Sequence, residues 1–157
     1  TFIRDSPATV GVVPGDARIS MAREAEAKQE QRFDLLAIDA FSGDAIPVHL
    51  LTREAFDLYL RQLEPTRGIL AVHISNDAVD LRPVLLGLAE SFHLTAVVVQ
   101  SPGPVDGCQA AVWALMAISP EALAYPAIAS AGLPLGDRIN PVLWTDDYSN
   151  LFRALRY

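Results

Sequence analysis

Six side chains able to bind a ligand or move a proton fall at similar places along this chain. Asp16, Asp39, Asp44, Ser75, Asn76 and Gln100 each lie at or just beyond the end of a run that reads as a β-strand. In parallel α/β sheets, ligands bind at the carboxyl ends of the strands. Asp39 is the sharpest of the six, because it closes the apolar run Leu35-Leu36-Ala37-Ile38. A carboxylate buried there without a partner is unfavourable, so its presence calls for a cationic ligand or an array of donors. Two further readings stay open beside ligand binding. Asp16 is placed to cap the helix that follows it, and Asp44 beside Gly43 is also ordinary turn chemistry.

The remaining reactive residue types point to less. His49, His73 and His93 lack the spacing of metal ligands and read as core or surface residues, so no metal is expected. Ser42 and Ser75 sit in loops without a nucleophile elbow, which argues against a hydrolase. Cys108 is the only cysteine, so no internal disulfide can form and a structural thiol is expected. Trp113 reads as core.

The elements that must position these residues alternate between strand and helix, the pattern of a parallel α/β sheet. Strands are expected at 9–13, 33–39, 69–74, 95–100 and 110–118, and helices at 17–28, 52–63 and 81–92. Thr52 should cap the second helix, whose buried face should comprise Ala55, Phe56, Tyr59, Leu60 and Leu63. Asp80 should cap the third, where Pro83 is tolerable because it falls in the first turn. The short connection after Gln100 makes the last two strands an antiparallel hairpin. Short helical pieces follow Ser119. A closing helix is expected over 148–155, capped by Asp146 or Asp147, so the motif around those residues reads as structural.

At 157 residues the chain fits a single domain with a sizeable core. Its net charge of −7 makes a nucleic-acid partner unexpected and suits a small cation or simply a solvated acidic surface. The longest apolar run, 110–118, is too short to span a bilayer. No signal peptide is read, and Thr1 in place of an initiator methionine suggests a piece of a longer protein.

Three stretches carry a resemblance. They are Val13-Pro14-Gly15-Asp16-Ala17-Arg18, then Ile38-Asp39-Ala40-Phe41-Ser42-Gly43-Asp44-Ala45-Ile46-Pro47, then Trp144-Thr145-Asp146-Asp147-Tyr148-Ser149-Asn150-Leu151. With Ala71-Val72-His73-Ile74-Ser75-Asn76, they make the chain similar to the spermidine-synthase-like proteins of the polyamine aminopropyltransferase family. The resemblance implies part of a Rossmann-like, methyltransferase-type α/β fold. Its sheet would be mostly parallel with a C-terminal antiparallel strand pair, and helices would cover both faces. It implies a nucleoside and a polyamine as small-molecule partners, with decarboxylated S-adenosylmethionine as co-substrate. By the same resemblance Asp16 and Ala17 lie by the adenine, Asp39 lies near both the transferred group and the attacking amine, and Asp44 is a second catalytic carboxylate. Four residues separate Asp39 from Asp44, a wider spacing than is usual in spermidine synthases.

The family's glycine-rich nucleoside turn, ribose-holding acid and upstream tyrosine have no counterpart in this sequence. The isolated chain is therefore expected to be inactive. Around Gln100 the chain is apolar where true synthases offer an aromatic contact to the amine. Two alternatives accompany the aminopropyltransferase reading. One is a methyltransferase using S-adenosylmethionine itself, and the other is a non-catalytic nucleoside-binding or interaction module that kept the fold. A cytoplasmic location is expected, either alone or as the cytoplasmic domain of a membrane-anchored parent. In the family's fold two earlier strands separate those at 9–13 and 33–38. Here these two strands should pair directly, be bridged by another subunit in a homo-oligomer, or drift apart.

Overall fold

The computed structural model describes residues 4–39, 47–76, 79–103, 109–136 and 139–150. Among these residues there are four helices: α1 (Ala17–Glu26), α2 (Arg53–Gln62), α3 (Arg82–Phe92) and α4 (Pro126–Ala131). Five strands form one sheet: β1 (Leu35–Ile38), β2 (Ile69–His73), β3 (Thr95–Ser101), β4 (Ala111–Ala117) and β5 (Leu133–Pro134). Short 3₁₀ turns occupy Val48–Leu50 and Pro120–Leu123.

The strand order is β1-β2-β4-β3-β5. β1 and β2 pair in parallel, and β4 enters antiparallel between β2 and β3. Strands β1, β2 and β3 therefore run one way, while β4 and β5 oppose them. The expected C-terminal antiparallel pair is the hairpin of β3 and β4.

Strand alternation sorts the side chains onto two faces. Ile38, Leu70, Val72, Ala114 and Met116 join Phe56, Tyr59, Val84, Leu85 and Leu88 of α2 and α3 in the larger core. Each of the larger aliphatic side chains, fully removed from water, stabilises by about 1.5–3 kcal/mol. The opposite face holds a smaller cluster of Ala117, Ala122 and Leu123, with Ile69, Val97, Leu115 and Ile128 packed against it.

Local chemistry explains the element ends. The Oδ1 of Asp16 accepts the Ile19 N–H at 3.0 Å and starts α1. Thr52 Oγ1 accepts the Ala55 N–H at 3.3 Å and starts α2. The buried face of α2 is Ala55, Phe56, Tyr59 and Leu63 as expected, with Leu58 buried in place of the partly exposed Leu60. Gln62 is wholly buried and satisfied, accepting the Gln31 N–H and donating to the Met21 carbonyl, so it ties α1 to α2. Pro83 does fall in the first turn of α3, and His93 ends that helix at φ 54°.

Four expectations need correction. Residues 9–13 form no strand, and Val10, Val12 and Val13 are exposed, because no neighbouring backbone supplies a ladder. Leu81, not Asp80, is the cap residue of α3; Asp80 accepts the Arg82 N–H from one position further out and grips the Arg82 guanidinium. Tyr148, Ser149 and Asn150 are not helical. Thr145 and Tyr148 instead exchange backbone hydrogen bonds of 2.8 and 3.2 Å, which closes a turn around Asp146 and Asp147. Trp113 is only half-buried, whereas Trp144 is fully buried.

Candidate functional site

Two polar clusters stand out, one at the ends of β1 and β2 and one around the starts of α1 and α2. The first is built by strand register. Ile38 pairs with Val72, so the next residues along the two parallel strands, Asp39 and His73, stand side by side. His73 Nδ1 lies 2.8 Å from Asp39 Oδ1, and its Nε2 lies 2.8 Å from Ser75 Oγ. Ser75 Oγ also accepts the Val112 N–H at 2.7 Å, so the side chain extends the β2–β4 ladder past the end of β2. Trp113, directly opposite His73 in β4, stacks on the imidazole with ring centroids 4.8 Å apart and planes inclined by 26°. The Asp39 side chain is 57% exposed and that of His73 only 21%, so the carboxylate is the outer member of the group.

Beside this cluster lies a cavity of about 450 Å³. Its polar lining includes Ser75, Asn76 and Gln100, and its apolar wall includes Ile74, Val98 and Val112. Three of the six sequence candidates thus share one cavity, and Ser75 connects it to His73 and Asp39.

The second cluster gathers the starts of α1 and α2. Arg18 makes a two-pronged bond to Asp146, at 2.8 and 2.5 Å, and donates to the His49 carbonyl at 2.7 Å. The Thr52 hydroxyl donates to Asp146 at 2.8 Å, and Glu54 accepts the Asp146 N–H at 3.0 Å. The Arg18 guanidinium holds the Asp146 carboxyl below the ordinary aspartate range, with Thr52 adding to the effect. This web ties the chain around Asp146 to two helix starts, in keeping with the structural role expected for that motif.

Asp16 belongs to this second cluster. Its Oδ1 takes the Ile19 N–H, and its Oδ2 lies 3.3 Å from His49 Nε2. The Ile19 N–H, with help from His49, holds its carboxyl below the ordinary range. The Ile19 bond is the one the helix-capping reading requires, the His49 contact engages the second oxygen, and Ala17 is the first residue of α1. Asp44 lies outside the described residues. Among the described residues, no group of histidines, cysteines and carboxylates could hold a metal ion, and no helix is long and apolar enough to cross a membrane.

Sequence reasoning missed His73 and the part Ser75 plays beside it. A signal was present: His73 is the one titratable residue in the apolar run of β2, and it lies near the strand's carboxyl end.

The class of molecule that emerges is an α/β domain with a mixed five-stranded sheet and a carboxylate–imidazole–hydroxyl group at the carboxyl ends of two parallel strands. No protein-family model matches the chain. A polyamine aminopropyltransferase of Vibrio vulnificus (strain CMCP6) is 39% identical to it over 59 residues. That stretch covers 38% of this chain and 19% of the Vibrio protein, so the likeness is local.

Proposed function

We propose that this chain is the amine-facing part of an aminopropyltransferase-type domain, with decarboxylated S-adenosylmethionine as donor and a polyamine as acceptor. The observation that carries the reading is Asp39, a largely exposed carboxylate at the end of β1. Among the described residues only His73 bonds it, through Oδ1, which leaves Oδ2 for a cationic ligand. The local likeness to a polyamine aminopropyltransferase supports the same direction. The described residues fit the amine better than the nucleoside. Asp39 offers an open acceptor, whereas both oxygens of Asp16 already have partners.

In such a transfer, a neutral amine nitrogen attacks the methylene carbon bound to the sulfonium. The C–N bond forms, the C–S bond breaks, and its electron pair stays on sulfur, leaving a thioether. The attacking nitrogen must then lose a proton, and Asp39 Oδ2 is the acceptor at this edge. Holding nitrogen and carbon in line supplies several kcal/mol of the acceleration.

The test is Asp39→Asn in the full protein, assayed for aminopropyl transfer and for methylthioadenosine binding. Asn keeps the shape and removes the charge. Turnover should fall by about 10²–10⁴, nucleoside affinity should change far less, and the melting temperature should hold. Asp44→Asn should cost less than Asp39→Asn, given the wide spacing. Wild-type turnover in Asp39→Asn would refute the assignment.

A further inference from the structure

We infer that His73 is a positioning residue for Asp39, and that Ser75 supports the imidazole with its proton on the nitrogen facing Asp39. The inference rests on the reading of Asp39 as the amine-binding carboxylate and names the groups that hold it in place. An exposed aspartate on an open strand end has several rotamers within reach, and only some of them present an oxygen to a ligand. Here one carboxylate oxygen is anchored at 2.8 Å to a ring that is itself mostly buried.

The ring is held on three sides. Trp113 stacks on it and sets its plane. Asp39 meets Nδ1 and Ser75 meets Nε2. The direction of each hydrogen bond follows from the Asp39 carboxylate, which can only accept, so the single proton of the neutral ring lies on Nδ1, facing Asp39. Nε2 is then an acceptor, and the Ser75 hydroxyl, whose oxygen also accepts the Val112 N–H, donates its hydrogen to it. A chain of Val112 N–H to Ser75, Ser75 O–H to His73, and His73 Nδ1–H to Asp39 leaves every donor matched to an acceptor. It delivers one directed hydrogen bond to the carboxylate without giving it a proton. Supporting partners of this kind orient the groups that touch the substrate.

Two substitutions of similar size separate positioning from packing. Asparagine places an amide N–H near the Nδ1 position and so retains the bond to Asp39; leucine fills the space against Trp113 and donates nothing. In the full protein, His73→Asn should keep kcat within about threefold of wild type. His73→Leu should lower it by about 10–100-fold, the range seen when supporting partners are lost elsewhere, with KM for the nucleoside unchanged. A packing role gives the opposite order, with leucine at least as active as asparagine, and that order overturns the inference. A second readout uses this chain without catalysis: ¹⁵N NMR of the His73 ring should show the proton on Nδ1, and Ser75→Ala should weaken that preference. A neutral ring protonated on Nε2 overturns the inference even if His73→Leu fails to fold. Asp39→Asn run in parallel separates the two failures. If Asp39→Asn abolishes turnover while both His73 variants match wild type, this inference alone falls; if Asp39→Asn is fully active, the proposed function falls with it.

Discussion

Asp39 and Asp146 show how one residue type serves two ends in this chain. Asp146 spends both oxygens on Arg18 and takes the Thr52 hydroxyl as well, whereas among the described residues Asp39 has one oxygen bonded. The difference should appear in the pH dependence of stability. Because Arg18 lowers the Asp146 carboxyl in the folded state, the pair stabilises fully above the ordinary aspartate value. That stability is lost as pH falls through the lower, folded value. The side chains are 22% and 43% exposed, so solvent screening limits the pair to about 1 kcal/mol. Asp146→Asn should therefore melt below wild type at neutral pH, with the gap narrowing below about pH 4. Thermal melts of both proteins between pH 3 and 7 check this; a gap independent of pH would show that the charge contributes nothing.

Helix α3 owes its place to a residue that helix propensity disfavours. A side chain at Gly87 would bring its Cβ within 2.5 Å of the Val142 carbonyl oxygen, so glycine lets the later chain cross the helix closely. The Val142 N–H donates to the Pro83 carbonyl at 2.9 Å in that crossing, and the fully buried Trp144 follows two residues later. Two effects oppose each other in Gly87→Ala. Alanine gains up to about 1 kcal/mol of intrinsic helix preference, while forcing a methyl group against packed backbone costs about 1–3 kcal/mol. The second should prevail, since a backbone carbonyl cannot swing aside as a flexible side chain can. A lowered urea midpoint with an unchanged slope is the expected result, and a raised midpoint would mean that the crossing relaxes.

The sheet as an assembled unit is finished unevenly. β1 lies at one edge, and among the described residues no strand pairs with its outer side. Leu35 on that strand is 60% exposed. An uncovered strand edge that carries an exposed apolar side chain is a template for pairing with another chain. The isolated chain should therefore self-associate with rising concentration in sedimentation velocity. Leu35→Lys should suppress the association, because a charge on an edge strand resists a second strand. A chain that stays monomeric at all concentrations would contradict this reading of the edge.

Much of this architecture was legible from local pattern. The 3.6-residue spacing along α2, the caps at Asp16 and Thr52, and the apolar runs of β1 to β4 depend on near neighbours along the chain, and each stands where the pattern put it. Asp39 was legible as a charge closing an apolar run, but its surroundings were not: the carboxylate is 57% exposed and bonded to His73, not buried without a partner. Residues 9–13 carry the same apolar composition yet form no strand, because a strand needs a partner that its own sequence does not specify. His73 and Ser75 were illegible for a related reason. Their meaning comes from the parallel register that sets Asp39 beside His73 and from the insertion of β4, which brings Val112 and Trp113 against them from nearly forty residues away. The sequence carries the chemical groups and their local conformations; which groups touch depends on long-range strand pairing, a property of the whole sheet.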